Sequence, residues 1–305
     1  QSMKFCYYDT MRIVDVHTHG LGGFDTRTSN HGDILKMAQS QSSNGVTDIV
    51  PTIYPGPIAT MRRNMAAVKK AMEMQRLDLG DKRSGAANSK FKIQNLKFAR
   101  IAGIHLEGPF LNPIRAGALD SASFQKPSEK TWKKLIEGFE DIIKVVTIAP
   151  ELNGALRLIK TLSNLGMIVS LGHSDATHKE TEMAFQVGAS CSTHIFNAMR
   201  AFHHREPGIA CFGLMNQEIY IEVIGDPFHL NNRTLEFIFK VKNPERILIV
   251  SDSIKETKVP SKHQTLRDEA GALRGGSMTI VESAKRLIKL GLDKDKVMSC
   301  ISANA

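Results

Sequence analysis

Cysteine is scarce in this sequence. The four cysteines lie far apart and lack the Cys-x-x-Cys spacing of zinc ribbons and redox motifs. Free thiols in a reducing compartment are therefore expected, and the chain is predicted to be cytoplasmic. No apolar run approaches the length of about 18 residues that a membrane-spanning helix needs, so no membrane partner is expected. The first residues also lack the apolar core of a signal peptide.

Aromatic residues are few, with a single tryptophan in 305 residues. The formal charge is +9, from 40 basic and 31 acidic residues, but the basic residues are spread along the chain. Because no stripe combines basic and aromatic residues, a nucleic-acid partner is not expected. A modest positive field instead suits a small anionic substrate.

What the sequence does contain is a regular alternation of short apolar runs and longer helical patterns. Strands are predicted at 12–16, 46–53, 100–106, 143–149, 166–172, 189–195, 219–225 and 246–252. Helices are predicted near 31–44, 58–77, 131–141, 151–165, 178–188, 207–217, 231–241 and 280–290. Since strands that alternate with helices form parallel βαβ units, eight units in about 250 residues predict an α/β protein with a closed (β/α)₈ barrel. An open doubly wound sheet is the alternative, although no Gly-x-Gly-x-x-Gly follows the first strand.

Two stretches interrupt this alternation. Residues 78–97 are polar and are predicted to form a surface excursion. Residues 253–279 contain several glycines and are predicted to form a long active-site loop with a small hairpin. Residues 1–305 are otherwise interpreted as one barrel domain.

His17 and His19 form a His-x-His pair at the end of the first predicted strand. Side chains at positions i and i+2 of a strand point to the same face, so both imidazoles can bind one metal ion. The other predicted strands that end in, or lead to, a potential metal ligand contribute Glu107, His173, His194, His229 and Asp252. On a barrel these ends surround one central opening, which predicts a metal centre there.

Imidazole and carboxylate ligands suit divalent zinc, iron, manganese or cobalt. The set can hold two ions with Glu107 between them, or one ion with groups to spare. A bound ion lowers the pKa of a water molecule toward ~7 and polarises a carbonyl group, as hydrolysis requires. Asp252 is then the expected proton carrier, and His229 the expected donor to the developing oxyanion.

These motifs resemble the N-acetylglucosamine-6-phosphate deacetylase family of metal-dependent amidohydrolases. The specific segments are Gly103-Ile-His-Leu-Glu-Gly-Pro-Phe-Leu-Asn112, Leu171-Gly-His-Ser-Asp-Ala176, Thr193-His-Ile-Phe-Asn-Ala-Met199 and Arg205-Glu-Pro-Gly208. The resemblance implies a barrel of the amidohydrolase type. It also implies that most of the usual small β-sandwich is missing, because few residues precede the first strand and the sequence ends at Ala305.

The resemblance assigns roles to the strand-end residues. Glu107, His173 and His194 match the principal metal ligands, whereas His17 and His19 match a pair present in members that can carry a second ion. One or two divalent ions per subunit are therefore expected, with zinc first among the candidates.

The resemblance also implies the reaction and its remaining residues. Asp252 matches the catalytic acid and base, and His229 the residue that polarises the substrate carbonyl. The matches to sugar-phosphate contacts are Ala118, Asn197, Ala198, Arg205, Leu273, Arg274 and Gly275. Hydrolysis of N-acetylglucosamine 6-phosphate to glucosamine 6-phosphate and acetate is implied, in a homodimer in which Arg205 binds the phosphate.

Two alternatives to this reaction stay open at this point. One is another amidohydrolase reaction, either cyclic amide hydrolysis or deamination, on the same metal platform. The other is a truncated, non-catalytic protein that binds a sugar phosphate. The sequence also leaves open the metal and the choice between the glucosamine and galactosamine epimers.

Overall fold

The computed structural model describes residues 11–78, 98–261, 265–269 and 271–305. The strands are β1 (Val14–Thr18), β2 (Gly20–Leu21), β3 (Phe24–Asp25), β4 (Asp48–Ile53), β5 (Arg100–Ile101), β6 (Ile104–Glu107), β7 (Ile143–Ile148), β8 (Ile168–Leu171), β9 (Cys191–Ser192), β10 (Tyr220–Ile224) and β11 (Ile247–Val250). The helices are α1 (His31–Ser43), α2 (Ile58–Asp78), α3 (Glu129–Ile136), α4 (Ala155–Asn164), α5 (His178–Gln186), α6 (Gly208–Met215), α7 (Asn232–Val241), α8 (Ile280–Lys289) and α9 (Lys294–Ser299). Residues 79–97 of the predicted excursion lie outside the described residues.

Eight parallel strands form a nearly closed barrel in the order β1, β4, β6, β7, β8, β9, β10 and β11. Each of the eight overlaps one predicted strand, so the (β/α)₈ prediction is confirmed. The short strand β5 pairs with the start of β4, beside this path. Strands such as β11 are buried along their whole length, as expected where helices cover a parallel sheet.

The barrel closes between β11 and β1 through backbone hydrogen bonds and the side chain of Asp15. The Asp252 N–H donates to the carbonyl oxygen of His17 at 2.9 Å. The carboxylate Oδ1 of Asp15 accepts from the N–H of Ser251 at 3.2 Å and from that of His17 at 3.3 Å. At the other end, carbonyl oxygens of residues 300–301 accept from N–H groups of both strands. The first and last strands of the barrel, β1 and β11, are thus joined near His17 and Asp252.

Some element bounds differ from the sequence predictions for local reasons. The helix predicted at 131–141 ends at Ile136, because Glu137 leaves the helical region and Gly138 has a φ of 84°. The helix predicted to begin at 151 begins at Ala155, after Gly154 with a φ of 89°. The hairpin of β2 and β3 and the helix α9 were not predicted.

Two further features of the described residues concern the state of the cysteine thiols and the hydropathy of the helices. Cys191, Cys211 and Cys300 are free, whereas Cys6 lies outside the described residues. Among the helices that the structure describes, none combines the length and the hydropathy that a membrane crossing requires.

The segment after β11 returns to the barrel at Gly276. Ser253 and Gly276 form a parallel bridge, and the Gly276 N–H donates to the carbonyl oxygen of Asp252 at 2.7 Å. Between them, Arg267 and Leu273 form an antiparallel bridge in a small turn. A Cβ atom at Gly276 would lie 1.9 Å from the carbonyl oxygen of Ser251, so the chain can approach β11 only with glycine at this position.

We therefore expect Gly276→Ala to lower the free energy of unfolding by about 1–3 kcal/mol, the usual cost of inserting a methyl group where there is no space. Urea denaturation followed by circular dichroism measures this difference. Gly56→Ala is the matched control, because a Cβ there meets its nearest neighbour at 3.9 Å. Equal stability of the two variants would contradict the assigned role of Gly276.

Candidate metal and active centre

The structure brings the predicted strand-end ligands together at the carboxyl ends of the barrel strands. The set comprises His17, His19, Glu107, His173, His194 and Asp252, and all six are buried. Three of them adopt the left-handed region that side chains rarely occupy: His173 has a φ of 47°, His194 of 28° and Asp252 of 47°. Backbone strain of this kind concentrates at functional sites, since the surrounding structure must hold it in place.

Three of these ligands form a nearly equilateral triangle of donor atoms. Nε2 of His173 and Nε2 of His194 each lie 3.1 Å from Oε1 of Glu107 and 3.1 Å from one another. A tetrahedral zinc ion with bonds of about 2.0–2.1 Å separates its ligand atoms by roughly 3.3 Å, so these spacings fit such an ion. His173 donates from Nδ1 to the carbonyl oxygen of Arg115 at 2.9 Å, which leaves Nε2 as the metal-binding nitrogen.

The His-x-His pair lies on the other side of Glu107. Nε2 of His19 is 3.2 Å from Oε2 of Glu107, and Nε2 of His17 is 3.5 Å from Oε1. Both nitrogens also approach Oδ1 of Asp252, at 3.4 and 3.5 Å respectively. His19 donates from Nδ1 to the carbonyl oxygen of Thr52 at 3.1 Å. Within the described part of the chain, Nε2 of His17 is buried without a hydrogen-bond partner, an arrangement that a bound cation would satisfy.

Charges in this centre stabilise one another. Burial opposes a charge on His17, but the carboxylates of Glu222 and Glu107 outweigh burial and raise its pKa well above the usual value. Burial likewise opposes ionisation of Glu107, but His173 and His17 outweigh it and lower its pKa well below the usual value. The centre therefore keeps Glu107 ionised as a ligand between two groups of imidazoles.

Glu222 is a residue of this centre that the sequence analysis missed. It lies on β10, is buried, and accepts through Oε2 from Nδ1 of His17 at 2.8 Å. The same oxygen accepts from the backbone N–H of His194 at 3.2 Å. Glu222 stands in the middle of its strand, whereas the sequence pattern pointed only to residues at the ends of strands. A carboxylate within the otherwise apolar core of a buried strand is the signal that would have found it.

A cavity of about 350 Å³ opens over the centre. Its lining includes these predicted substrate contacts: Ala118, Asn197, Ala198, His229, Leu273, Arg274 and Gly275. Arg27 and Tyr54 also line it, although the sequence analysis named neither. The Tyr54 ring stacks on His19 with 3.8 Å between ring centroids, and the Arg27 guanidinium lies 3.9 Å from the Tyr54 centroid.

Arg205 is not brought to this cavity among the residues that the structure describes. It is exposed and donates to Nε2 of His204 at 2.9 Å. The other predicted substrate contacts therefore lie together without it.

His229 lines the cavity, and Asp226 holds its ring through Nδ1. Nδ1 lies 3.0 Å from Oδ2 of Asp226, which also accepts from the N–H of Ser277 at 2.9 Å. Burial opposes a charge on His229, but the Asp226 carboxylate outweighs it and raises the pKa of His229. Because a carboxylate accepts, Nδ1 carries a proton, and Nε2 can donate toward the cavity only in the doubly protonated ring. The raised pKa favours that form.

Comparison with known proteins shows which proteins this chain is similar to. It is 27% identical over 287 residues to the N-acetylglucosamine-6-phosphate deacetylase of Vibrio furnissii, covering 90% of this chain and 67% of that protein. It is 28% identical over 290 residues to the N-acetylgalactosamine-6-phosphate deacetylase of Escherichia coli O157:H7, covering 91% and 71%. No protein-family model matches the chain.

A solved structure of a deacetylase with a similar name also superimposes on this chain. A mutant of the Mycobacterium smegmatis N-acetyl-D-glucosamine-6-phosphate deacetylase, in complex with N-acetyl-D-glucosamine-6-phosphate, superimposes with a TM-score of 0.81 at 25% identity. The match covers 96% of this chain and 75% of that structure. The chain is similar to these deacetylases. The similarity extends over 81–91% of this chain in the matches with the widest and narrowest reach, and the chain spans between 59% and 71% of the length of the curated relatives it matches.

The pairing of His229 with Asp226 generates a prediction. We expect Asp226→Asn to lower the pKa of His229, because a neutral amide no longer favours the charged ring. A pH titration of the His229 ring proton by NMR measures this change. Asp175→Asn removes a carboxylate that pairs with Arg115 and Arg200 instead, and serves as the control. An unchanged His229 titration in Asp226→Asn would show that Asp226 does not set it.

Proposed function

We propose that this protein hydrolyses the N-acetyl group of N-acetylglucosamine 6-phosphate to give glucosamine 6-phosphate and acetate, in amino-sugar catabolism or recycling. The observation that carries the proposal is the donor set around Glu107, which lies beneath a cavity that Asp252 and His229 also line. The names of the homologues supply the substrate. The proposed location is the cytoplasm, on the basis of the scattered cysteines.

The donor set fits one or two divalent ions. Glu107, His173 and His194 would hold one ion, and His17, His19 and Glu107 a second. Imidazole nitrogens with carboxylate oxygens suit zinc, and also iron, manganese or cobalt. A bound ion supplies Lewis acidity, which makes a water molecule more acidic and polarises the amide carbonyl.

Asp252 is the proposed general base and acid. Its Oδ1 lies between the two ligand histidines and the cavity, so it can take the proton of the attacking water and pass it to the amide nitrogen. The N–H bond to His17 and the bond from Gly276 fix the backbone on both sides of this carboxylate. Protonation of the nitrogen lets it leave as an amine when the tetrahedral intermediate collapses.

His229 is the proposed donor to the amide carbonyl oxygen. Asp226 holds its ring from Nδ1, and His229 lines the cavity, so a proton on Nε2 is the one that remains for a bound substrate. A charged donor in a buried site stabilises the negative oxygen of the transition state more than the neutral carbonyl of the substrate.

The phosphate of the substrate is proposed to bind at the rim of the cavity. Arg27 and Arg274 are guanidinium groups of this chain that line it. Arg205 lies outside it, so its predicted contact with phosphate requires a second copy of the chain. We propose a homodimer in which Arg205 completes the cavity of its neighbour.

N-acetylgalactosamine 6-phosphate is the second candidate substrate, because one homologue with 28% identity acts by name on that epimer. Cyclic amide hydrolysis and deamination have no such support. A non-catalytic sugar-phosphate binder is disfavoured by the retention of Asp252 and His229 on the cavity lining.

Acetate release tests this function. We expect the zinc-loaded protein to release acetate from N-acetylglucosamine 6-phosphate, to stop after chelation, and to resume when metal is restored. Asp252→Asn should keep its metal content and lose at least ~100-fold in kcat, because a positioned general acid and base contributes about 10²–10⁴-fold.

Two comparisons make this test decisive. Asp141→Asn, which changes an exposed carboxylate paired with Lys69, should release acetate at the rate of the unmodified protein. Failure of the unmodified protein to release acetate with any of zinc, iron, manganese or cobalt would overturn the proposed function. Faster release from the galactosamine epimer would assign that sugar instead.

Arg205→Ala should chiefly raise the KM for the phosphorylated sugar and leave kcat nearly unchanged, because the guanidinium binds the phosphate and not the reacting amide. Steady-state kinetics alongside the oligomeric state by light scattering measure both effects. Arg233→Ala is the control, since Arg233 is an exposed arginine paired with Glu236 on α7. An unchanged KM in a dimeric Arg205→Ala would remove the phosphate role.

A further inference from the structure

We propose that Glu222 is a positioning residue that orients His17 as a metal ligand, so that the second ion binds tightly only while this carboxylate is present. The inference rests on the metal centre of the proposed function. It adds a residue of β10 that the proposed function does not use as a metal ligand, although Glu222 also lies within ligand distance of His17 and His105.

The first step is the contact with His17. Oε2 of Glu222 lies 2.8 Å from Nδ1 of His17, the shortest polar contact that the described structure gives for this ring. Since an ionised carboxylate only accepts, the contact places a proton on Nδ1 and leaves Nε2 as the nitrogen that can bind a metal ion. Nε2 is the atom that faces Glu107 and Asp252. A carboxylate behind a histidine is a common way to fix the ring and make it a stronger ligand.

The second step is the contact with His194. The same oxygen accepts from the backbone N–H of His194 at 3.2 Å, and the Glu222 carbonyl oxygen accepts from Ile195 at 2.8 Å. Glu222 therefore touches one ligand from each of the two donor groups. It ties the position of His17 to the strained turn that carries His194, where φ is 28°.

The third step is the cost of burying this charge. Glu222 is only 1% exposed, and a buried carboxylate without a partner would destabilise the fold. The His17 ring, 2.8 Å away through Nδ1, supplies the partner that this carboxylate needs. His105 packs beside the same pair, with 4.6 Å between its ring and that of His17. His105 itself bonds to Thr147 and to the Val16 carbonyl group, so it does not compete for Glu222.

A simpler reading is that Glu222 only fills the core of the barrel. That reading predicts a loss of stability when the residue is replaced, without a selective effect on one ion. The two readings therefore differ in the metal content of folded variants.

Zinc titration of the metal-free, full-length protein tests the inference, with calorimetry for affinity and mass spectrometry for the number of ions retained. We expect two ions per chain in the unmodified protein and one in Glu222→Ala, as in His17→Ala. Glu222→Gln keeps the size of the side chain but loses the charge, and should weaken the second ion by about 10–100-fold while leaving the first unchanged.

Asp48→Asn is the matched control. It neutralises another buried strand carboxylate, which pairs with Arg12 and Arg100 at the opposite end of the barrel. It should still bind two ions. Circular dichroism identifies the folded variants, and if Glu222→Ala fails to fold, Glu222→Gln decides the question.

Two results would overturn the inference. One is a folded Glu222→Gln that binds both ions as tightly as the unmodified protein, and the other is an unmodified protein that binds a single ion. Neither result depends on acetate release, so failure of the inference and failure of the proposed deacetylation are separate outcomes. Retention of both ions with no acetate release would instead count against the reaction alone.

Discussion

The Glu107 carboxylate is the interaction on which the rest of the centre depends. Its Oε1 lies 3.1 Å from Nε2 of both His173 and His194, while Oε2 lies 3.2 Å from Nε2 of His19. Residues from three other parts of the barrel thus meet at this side chain. An ionised group in this position would be costly to bury alone, so the fold must keep the surrounding histidines in place.

Closure of the barrel supplies that constraint. Asp15 joins β1 to the residues after β11, and the Asp252 N–H bonds to His17 directly. The bonds that complete the barrel are therefore also the bonds that set the distance between Asp252 and the His-x-His pair. Gly276 packs closely against Ser251 beside these contacts.

Much of this could be predicted from the sequence because the signals are local. Apolar runs located the eight barrel strands, and polar residues at their ends located Glu107, His173 and His194. Contacts that depend on tertiary structure could not be found this way. Glu222 lies within a strand, and Arg27 lines the cavity from a position over the Tyr54 ring. The exposed position of Arg205 likewise depends on the conformation of the loop that carries it, and the sequence alone does not specify that conformation.

His19 and His17 differ in the groups that hold their rings in place. His19 is held by a backbone carbonyl oxygen and covered by the Tyr54 ring, so substitution of a side chain cannot remove its hydrogen bond. His17 is held by the side chain of Glu222, which substitution can remove. The orientation of His17 is therefore the adjustable part of the pair. If two ions bind as proposed, a change of one residue on β10 would remove the second ion and still leave Glu107, His173 and His194 for the first.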